Sequence, residues 1–229
     1  AISCFIVDRG PGVNVAYQYG LMGCRGGGTG RLVFKDVRVP KENLLGKPNG
    51  ALEVFNTMMI PERLGTAAMT IGAARPALEV AGSYSMKRKA FGQPINRFQG
   101  VSFQVAEAAM LLDACRSLVY TTSLSVDRGA DPNTVRRLVS ETKRFVTESC
   151  QKVARNAMQV MGGIGYTNVF PIERIVRDLG LASIWTGTNE VMSMIIAHEW
   201  YAEHARTGSV RNVEADAPEA LAEGEKIFD

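Results

Sequence analysis

The spacing of apolar residues changes at Gly50, and that change limits what the chain can fold into. Beyond it, Leu64, Ala67, Ala68, Ile71, Ala74, Leu78, Ala81 and Tyr84 recur at steps of three and four, the interval that stacks side chains on one helix face. The pattern ends near Phe91-Gly92-Gln93-Pro94, and Pro61 near its beginning predicts a kink or a fresh helix start. A second helix is predicted through Val101, Val105, Ala108, Leu111, Leu112, Cys115 and Leu118, stopping before Arg128-Gly129. Asp131-Pro132 is a cap followed by proline at the first helical position. It opens a third helix through Val135, Leu138, Val139, Thr142, Phe145, Ser149 and Val153 to Met161, where Gly162-Gly163 ends it. A fourth runs from about Asn189 past Ile195, Ile196 and Trp200 towards His204. Three long helices and a shorter one with mostly short connections predict a mainly α chain built on an up-and-down four-helix bundle, residues 49–207.

Before Gly50 the pattern is that of strands. Cys4 to Val7 is closed by the turn residues Asp8-Arg9-Gly10-Pro11-Gly12, Val13 to Tyr17 alternates, and Leu32 to Val39 runs up to Pro40. Residues 1–48 are therefore expected to form the C-terminal part of a small antiparallel β-domain. The chain begins inside a strand pattern, as if it continued a longer polypeptide. Gly23 to Gly30 holds five glycines. It lacks a Gly-Lys-Ser/Thr ending and leads into a strand, so a β-turn that another segment approaches closely fits better than a phosphate loop. Residues 208–229, rich in Ala, Glu and Asp, are expected to be a flexible acidic tail.

Composition excludes several classes. A net charge of +3 with scattered basic residues gives no case for nucleic acid, and no apolar run is long enough to span a membrane. The first residues do not read as a signal peptide, so secretion is not expected. Cys4, Cys24, Cys115 and Cys150 contain no Cys-x-x-Cys pair, which favours buried, reduced thiols in a cytosolic or matrix-like compartment. His198 and His204 are six apart, on different faces of a helix, and have no metal-ligand spacing with Cys or Glu; no metal site is expected.

Two clusters point to a ligand. Arg88 ends one helix just before Phe91-Gly92, with Gln99 further on, and Gln159 closes another beside Gly162-Gly163. Either alone reads equally well as a helix end. Together, a guanidinium, side-chain amides and the backbone N–H groups of a glycine turn can hold a pyrophosphate and an adenine. Lys87-Arg88-Lys89-Ala90-Phe91-Gly92-Gln93-Pro94-Ile95 with Phe98-Gln99, then Gln159-Val160-Met161-Gly162-Gly163-Ile164-Gly165-Tyr166, then Arg177-Asp178 and Gly187-Thr188-Asn189-Glu190 resemble the acyl-CoA dehydrogenases in order and spacing. Gly23 to Gly26 and Phe34 to Gly46 resemble the close of that family's β-domain. The likeness covers about residues 1–205.

The resemblance implies FAD as cofactor, contacted by Arg88, Phe91, Gln99, Gln159, Val160, Met161, Gly162 and Gly163, with Thr188, Asn189 and Glu190 also at flavin positions. It implies a flavin site shared across subunits of a homodimer or a tetramer built as a dimer of dimers, an electron-transfer flavoprotein as partner, and a bacterial cytoplasmic or mitochondrial matrix location. The implied reaction is α,β-dehydrogenation of an acyl-CoA thioester, with proton abstraction by a carboxylate and hydride passing to flavin N5.

Many members of the family carry that glutamate immediately before the Gly-Thr of the last motif. Here the position is Thr186, which cannot act as the base. The branch that includes isovaleryl-CoA dehydrogenase places it instead at the start of the first bundle helix, followed by arginine, and this chain reads Pro61-Glu62-Arg63-Leu64 there. Glu62 is then the base, Arg63 faces structure or CoA, and Thr186 and Gly187 line the acyl pocket. The competing reading of Glu62 is a first-turn acid that stabilises a helix N-terminus after Pro61. Two other functions fit the fold: desulfinase- or reductase-like chemistry, and a non-catalytic subunit that completes a flavin site on another chain.

Overall fold

The computed structural model describes residues 1–207; the predicted acidic tail lies outside them. Five helices carry the fold: α1 (Ala51–Lys87), α2 (Gln99–Asp127), α3 (Pro132–Met161), α4 (Ile172–Ala182) and α5 (Asn189–Thr207). α3 is central and packs against all the others. Its start is fixed as expected, with the Asp131 carboxylate accepting from the Thr134 N–H at 3.1 Å. Its end is Gly162, in the left-handed region at φ 64°, whose N–H bonds the Met158 and Gln159 carbonyls.

The core explains why the helices lie close. Ala67 and Ala74 of α1, Ala108 of α2 and Ala154 of α3 are fully buried, and Leu112, Val146, Val153 and Leu179 fill the space between them. A second cluster, with Ala77, Ala81, Ala157, Val160 and Ile172, continues it towards the C-terminal end of α3. None of the described helices is long and apolar enough to cross a membrane.

Two expectations about the helices change. α1 passes through Pro61, and through Pro76, without a break. Each proline removes one bond to the carbonyl four residues back, and packing along the rest of this long helix holds it together. α4 was not assigned from sequence, although Ile172, Ile175, Val176, Leu179 and Ala182 follow helical spacing and pack into the core.

The β-segment forms separate antiparallel pairs. β1 (Cys4–Phe5) pairs with β4 (Leu44–Leu45), and β2 (Val13–Gln18) pairs with β3 (Gly30–Phe34) around a register shift between Val15 and Tyr17. β3 ends earlier than the predicted Val39, because Asp36 turns the backbone to φ 50°. A small hairpin, β5 (Lys89–Ala90) and β6 (Gln93–Pro94), links α1 to α2. Its turn residues, Phe91 and Gly92, both have positive φ, the geometry that suits a two-residue hairpin.

The glycine loop shows the predicted close approach. A Cβ on Gly23 would lie 2.4 Å from the Arg177 carbonyl group in α4, so only glycine fits. The Cys24 N–H donates to Asp178 Oδ1 at 2.6 Å, and Arg177 Nη1 donates to the Met22 carbonyl at 2.8 Å. Arg177-Asp178 thus fastens the glycine loop to the bundle, while the Ala51 N–H bonds the Ile2 carbonyl at 3.1 Å at the start of α1. All four cysteines are free; Cys115 and Cys150 are buried as expected, whereas Cys4 and Cys24 are only half-buried.

Candidate active site

The connection from α4 to α5 is a compact turn. Ile184 and Trp185 N–H groups bond back to the Leu181 carbonyl, and the Asn189 N–H reaches Ser183. Thr186 and Gly187 at its apex have φ of 55° and 93°. The φ of Gly187 is what favours glycine there; a Cβ would also meet Met192 Cε at 2.9 Å, which a small shift of that flexible side chain relieves. Arg63 Nε donates to the Thr186 carbonyl at 3.2 Å. From the other side Lys143 Nζ donates to the Gly187 carbonyl and to Asn189 Oδ1, both at 2.9 Å. Asn189 is buried and also bonds Thr147 and Glu148. Thr186, Gly187 and Asn189 are therefore brought together with Arg63.

Burial shifts the acidity of both cations under the turn. Burial lowers the Lys143 pKa to about 8, helped by the nearby Arg63 charge and opposed by Glu190 and Glu148. Burial also lowers that of Arg63, with Arg136 contributing. The Glu190 carboxyl is held below its usual range by its own backbone N–H and the Thr188 hydroxyl.

Glu62 differs from its neighbour. α1 begins at Ala51, so Glu62 lies roughly three turns inside the helix. The first-turn acid reading is thereby overturned, as is the placement of Glu62 at the start of the helix: a helix dipole acts on its first turn. The carboxylate is exposed and makes no ion pair or hydrogen bond among the described residues. It stands among Phe55, Met58, Gly65 and Met69, which helical spacing puts on the same face. Phe55, Met58 and Met69 are all about half exposed. Gly65 occupies the helix interior although a Cβ there would meet nothing within 4 Å. An apolar strip with one unpaired acid at its middle suits a carboxylate that an apolar ligand covers.

The second predicted cluster also assembles. Arg88, Gln159, Val160, Met161, Gly162 and Gly163 line one cleft of about 500 Å³, together with Tyr84, Ile95 and Ile164. Arg88 is exposed and has no ion pair among the described residues. A Cβ on Gly162 or Gly163 would meet nothing within 4 Å, whereas on Gly165 it would strike the Met158 carbonyl at 2.9 Å. The first two glycines therefore keep the cleft open, and the third is needed for packing. Gln99, exposed at the start of α2, and Phe91, 95% exposed at the hairpin tip, do not line this cleft.

Thr188, Asn189 and Glu190 line a different, smaller cleft with Glu148, Gln151, Ser183 and Ile184. Glu148 and Gln159 are separated along α3 by about 16 Å, so the predicted cofactor residues fall into two groups. Lys143 was missed by the sequence reading. The available signal was a lysine one turn from Val139 and from Thr147, within the buried stripe of α3. No cluster of three or more His, Cys, Asp or Glu that could hold a metal ion occurs among the described residues.

Fold and site together define a helical bundle domain with two separate clefts along its central helix. Residues 50–200 match the family model "Acyl-CoA dehydrogenase, C-terminal domain". The chain is 36% identical over 197 residues to an acyl-CoA dehydrogenase of Bacillus subtilis, covering 86% of this chain and 51% of that protein. It is 35% identical to the Caffeyl-CoA reductase-Etf complex subunit CarC of Acetobacterium woodii, over 86% of this chain and 51% of that one. The solved butyryl-CoA dehydrogenase from Megasphaera elsdenii superposes with a TM-score of 0.81 at 33% identity, over 87% of this chain and 51% of that one. The chain belongs to the acyl-CoA dehydrogenase family. It spans about half the length of the curated relatives it matches.

Proposed function

We propose that this chain is the C-terminal part of an FAD-dependent acyl-CoA dehydrogenase in which Glu62 removes the α-proton of the thioester. The observation that carries this reading is the Arg63–Thr186 hydrogen bond. It brings the turn that resembles the family's acyl-pocket wall against α1, one residue from an unpaired carboxylate on an apolar strip. Adjacent helix positions point in different directions, so Arg63 can hold the turn while Glu62 faces the acyl chain. An apolar acyl group over Glu62 would raise its pKa and make the carboxylate a stronger base. The likeness to the isovaleryl-CoA dehydrogenase branch rests on the Glu62-Arg63 sequence alone, since Glu62 lies well inside α1.

FAD fits the cleft at the end of α3. Arg88 offers a free guanidinium for the pyrophosphate, Gly162 and Gly163 leave the backbone open to it, and Gln159 supplies an amide. Bound FAD would supply the acceptor for the hydride leaving the β-carbon. The second group, Thr188 to Glu190, lies in its own cleft, which supports contact with a different flavin and hence a site shared between two subunits. Phe91 and Gln99, both exposed, would reach across that same boundary. An electron-transfer flavoprotein as electron partner draws support from the Etf-complex relative.

That relative's name also supports a second reading, the same chemistry run as a reduction of an enoyl-CoA. The test loads the protein with FAD and adds straight, branched and cyclic acyl-CoAs without oxygen. Loss of the flavin absorbance near 450 nm with at least one of them is expected. Bound flavin that no acyl-CoA bleaches, while an enoyl-CoA reoxidises its reduced form, would replace dehydrogenation by the second reading. A flavin that binds only after another polypeptide is added would make the chain a partner subunit.

A further inference from the structure

Lys143 is fully buried and heads the largest side chains in that state among the described residues. An ammonium is a costly group to bury, and a neutral donor would serve if a turn merely needed closing. Here two consecutive carbonyls, Thr186 and Gly187, each receive a cationic donor, from α1 and α3 respectively. The turn between them holds Thr186 in a left-handed conformation that non-glycine residues rarely adopt. Its hydroxyl and the Trp185 indole N–H are both buried without a partner among the described residues, so neither of these two side chains accounts for the geometry of the turn. The charged groups around the ammonium are Arg63 on α1, Glu148 on α3 and Glu190 on α5. Arg136 of α3 lies beyond Arg63 and is paired with Glu199 at 2.6 Å.

We propose that Lys143 is a positioning residue for the proton-transfer step: by holding Gly187 and Asn189 it sets the distance of the Thr186–Gly187 turn from α1, and so the placement of the acyl chain against Glu62. The proposal rests on the reading of Glu62 as the base. Lys143 itself touches neither substrate nor cofactor. Its effect passes through the turn, and misplacement of a reacting carbon by about 1 Å is enough to cost on the order of 100-fold in rate.

The chain holds two tryptophans. Trp200→Phe therefore leaves Trp185, immediately before Thr186, as the one tryptophan of the chain, excited selectively at about 295 nm to report on the turn. In that background, Lys143→Met is compared with its parent in the FAD-loaded protein. Expected are a shifted Trp185 emission maximum, a roughly 100-fold slower flavin reduction by acyl-CoA, and acyl-CoA dissociation constant and flavin content unchanged within threefold. Lys143→Gln, which retains a donor without charge, should fall between the two and serves as the variant if Lys143→Met does not fold. An unmoved Trp185 emission overturns the proposal, and so does a shifted emission with an unchanged reduction rate. If the parent itself is not bleached by any acyl-CoA, the dehydrogenase reading fails separately, and an unmoved Trp185 emission would then also dispose of the hold on the turn.

Discussion

Replacing Lys143 by methionine should change how the protein's stability depends on pH. In the fold the ammonium titrates at about 8, against 10.5 for a free lysine. Below pH 8 the group is charged in both the folded and unfolded states, and the fold bears the desolvation of a buried charge. Between about 8 and 10.5 the unfolded chain holds the proton more often than the folded one, so stability rises with pH. The increment is complete above the unfolded pKa and is lost as pH falls through the folded value. A gap of about 2.5 units corresponds to roughly 3 kcal/mol across that window. Methionine keeps an unbranched side chain one atom shorter and removes the titration. The assay is urea unfolding of parent and Lys143→Met at pH 7.5, 9 and 10.5, with the difference between the two taken at each pH. Tyrosines and cysteines also ionise in this range, but they are common to both proteins and cancel in the difference. The parent should gain about 3 kcal/mol relative to the variant from the lowest pH to the highest. A difference that stays flat would show that the buried ammonium does not bear the desolvation the geometry assigns to it.

Other consequences follow from single contacts. Gly23→Ala should detach the Met22–Cys24 segment from α4, because the new Cβ would overlap the Arg177 backbone; amide exchange at Cys24 should speed up while the core of α3 stays protected. Thr122 and Thr142 share a buried hydrogen bond of 2.7 Å between α2 and α3. Either single change to valine should cost about 1–3 kcal/mol by orphaning the other hydroxyl, and the double change should cost less than the two singles combined. Asp131→Ala should destabilise the start of α3 by removing the acceptor for the Thr134 N–H, and this difference should fade as pH falls, since the cap holds the Asp131 carboxyl below its usual range.

Much of the bundle was legible in the sequence, for reasons visible in particular residues. The start and end of α3 are written in Asp131-Pro132 and Gly162-Gly163, since a cap and a left-handed stop are local chemistry. Arg88, Gln159, Gly162 and Gly163 line one cleft, because each stands at a helix end that the sequence marks by its own local chemistry. The beginning of α1 was not legible by periodicity. Leu52, Phe55 and Met58 are apolar yet exposed here, so no polar face marks the helix before Pro61. That misplaced start is what made a helix cap a reasonable reading of Glu62. The spacing of Lys143 from Val139 and Thr147 places it in the buried stripe of α3, but spacing says nothing of what an ammonium there would bond. Its partners, Gly187 and Asn189, lie over forty residues away, and only the folded chain joins them.

The role of Glu62 is tested most directly by Glu62→Gln in the complete FAD-loaded enzyme, which keeps the shape of the side chain and removes the base. Flavin should remain bound, acyl-CoA should still bind, and reduction of the flavin by acyl-CoA should slow by a factor on the order of 10³, the scale of a lost general base. Reduction at close to the parental rate would contradict the assignment and send the search for the base to another carboxylate.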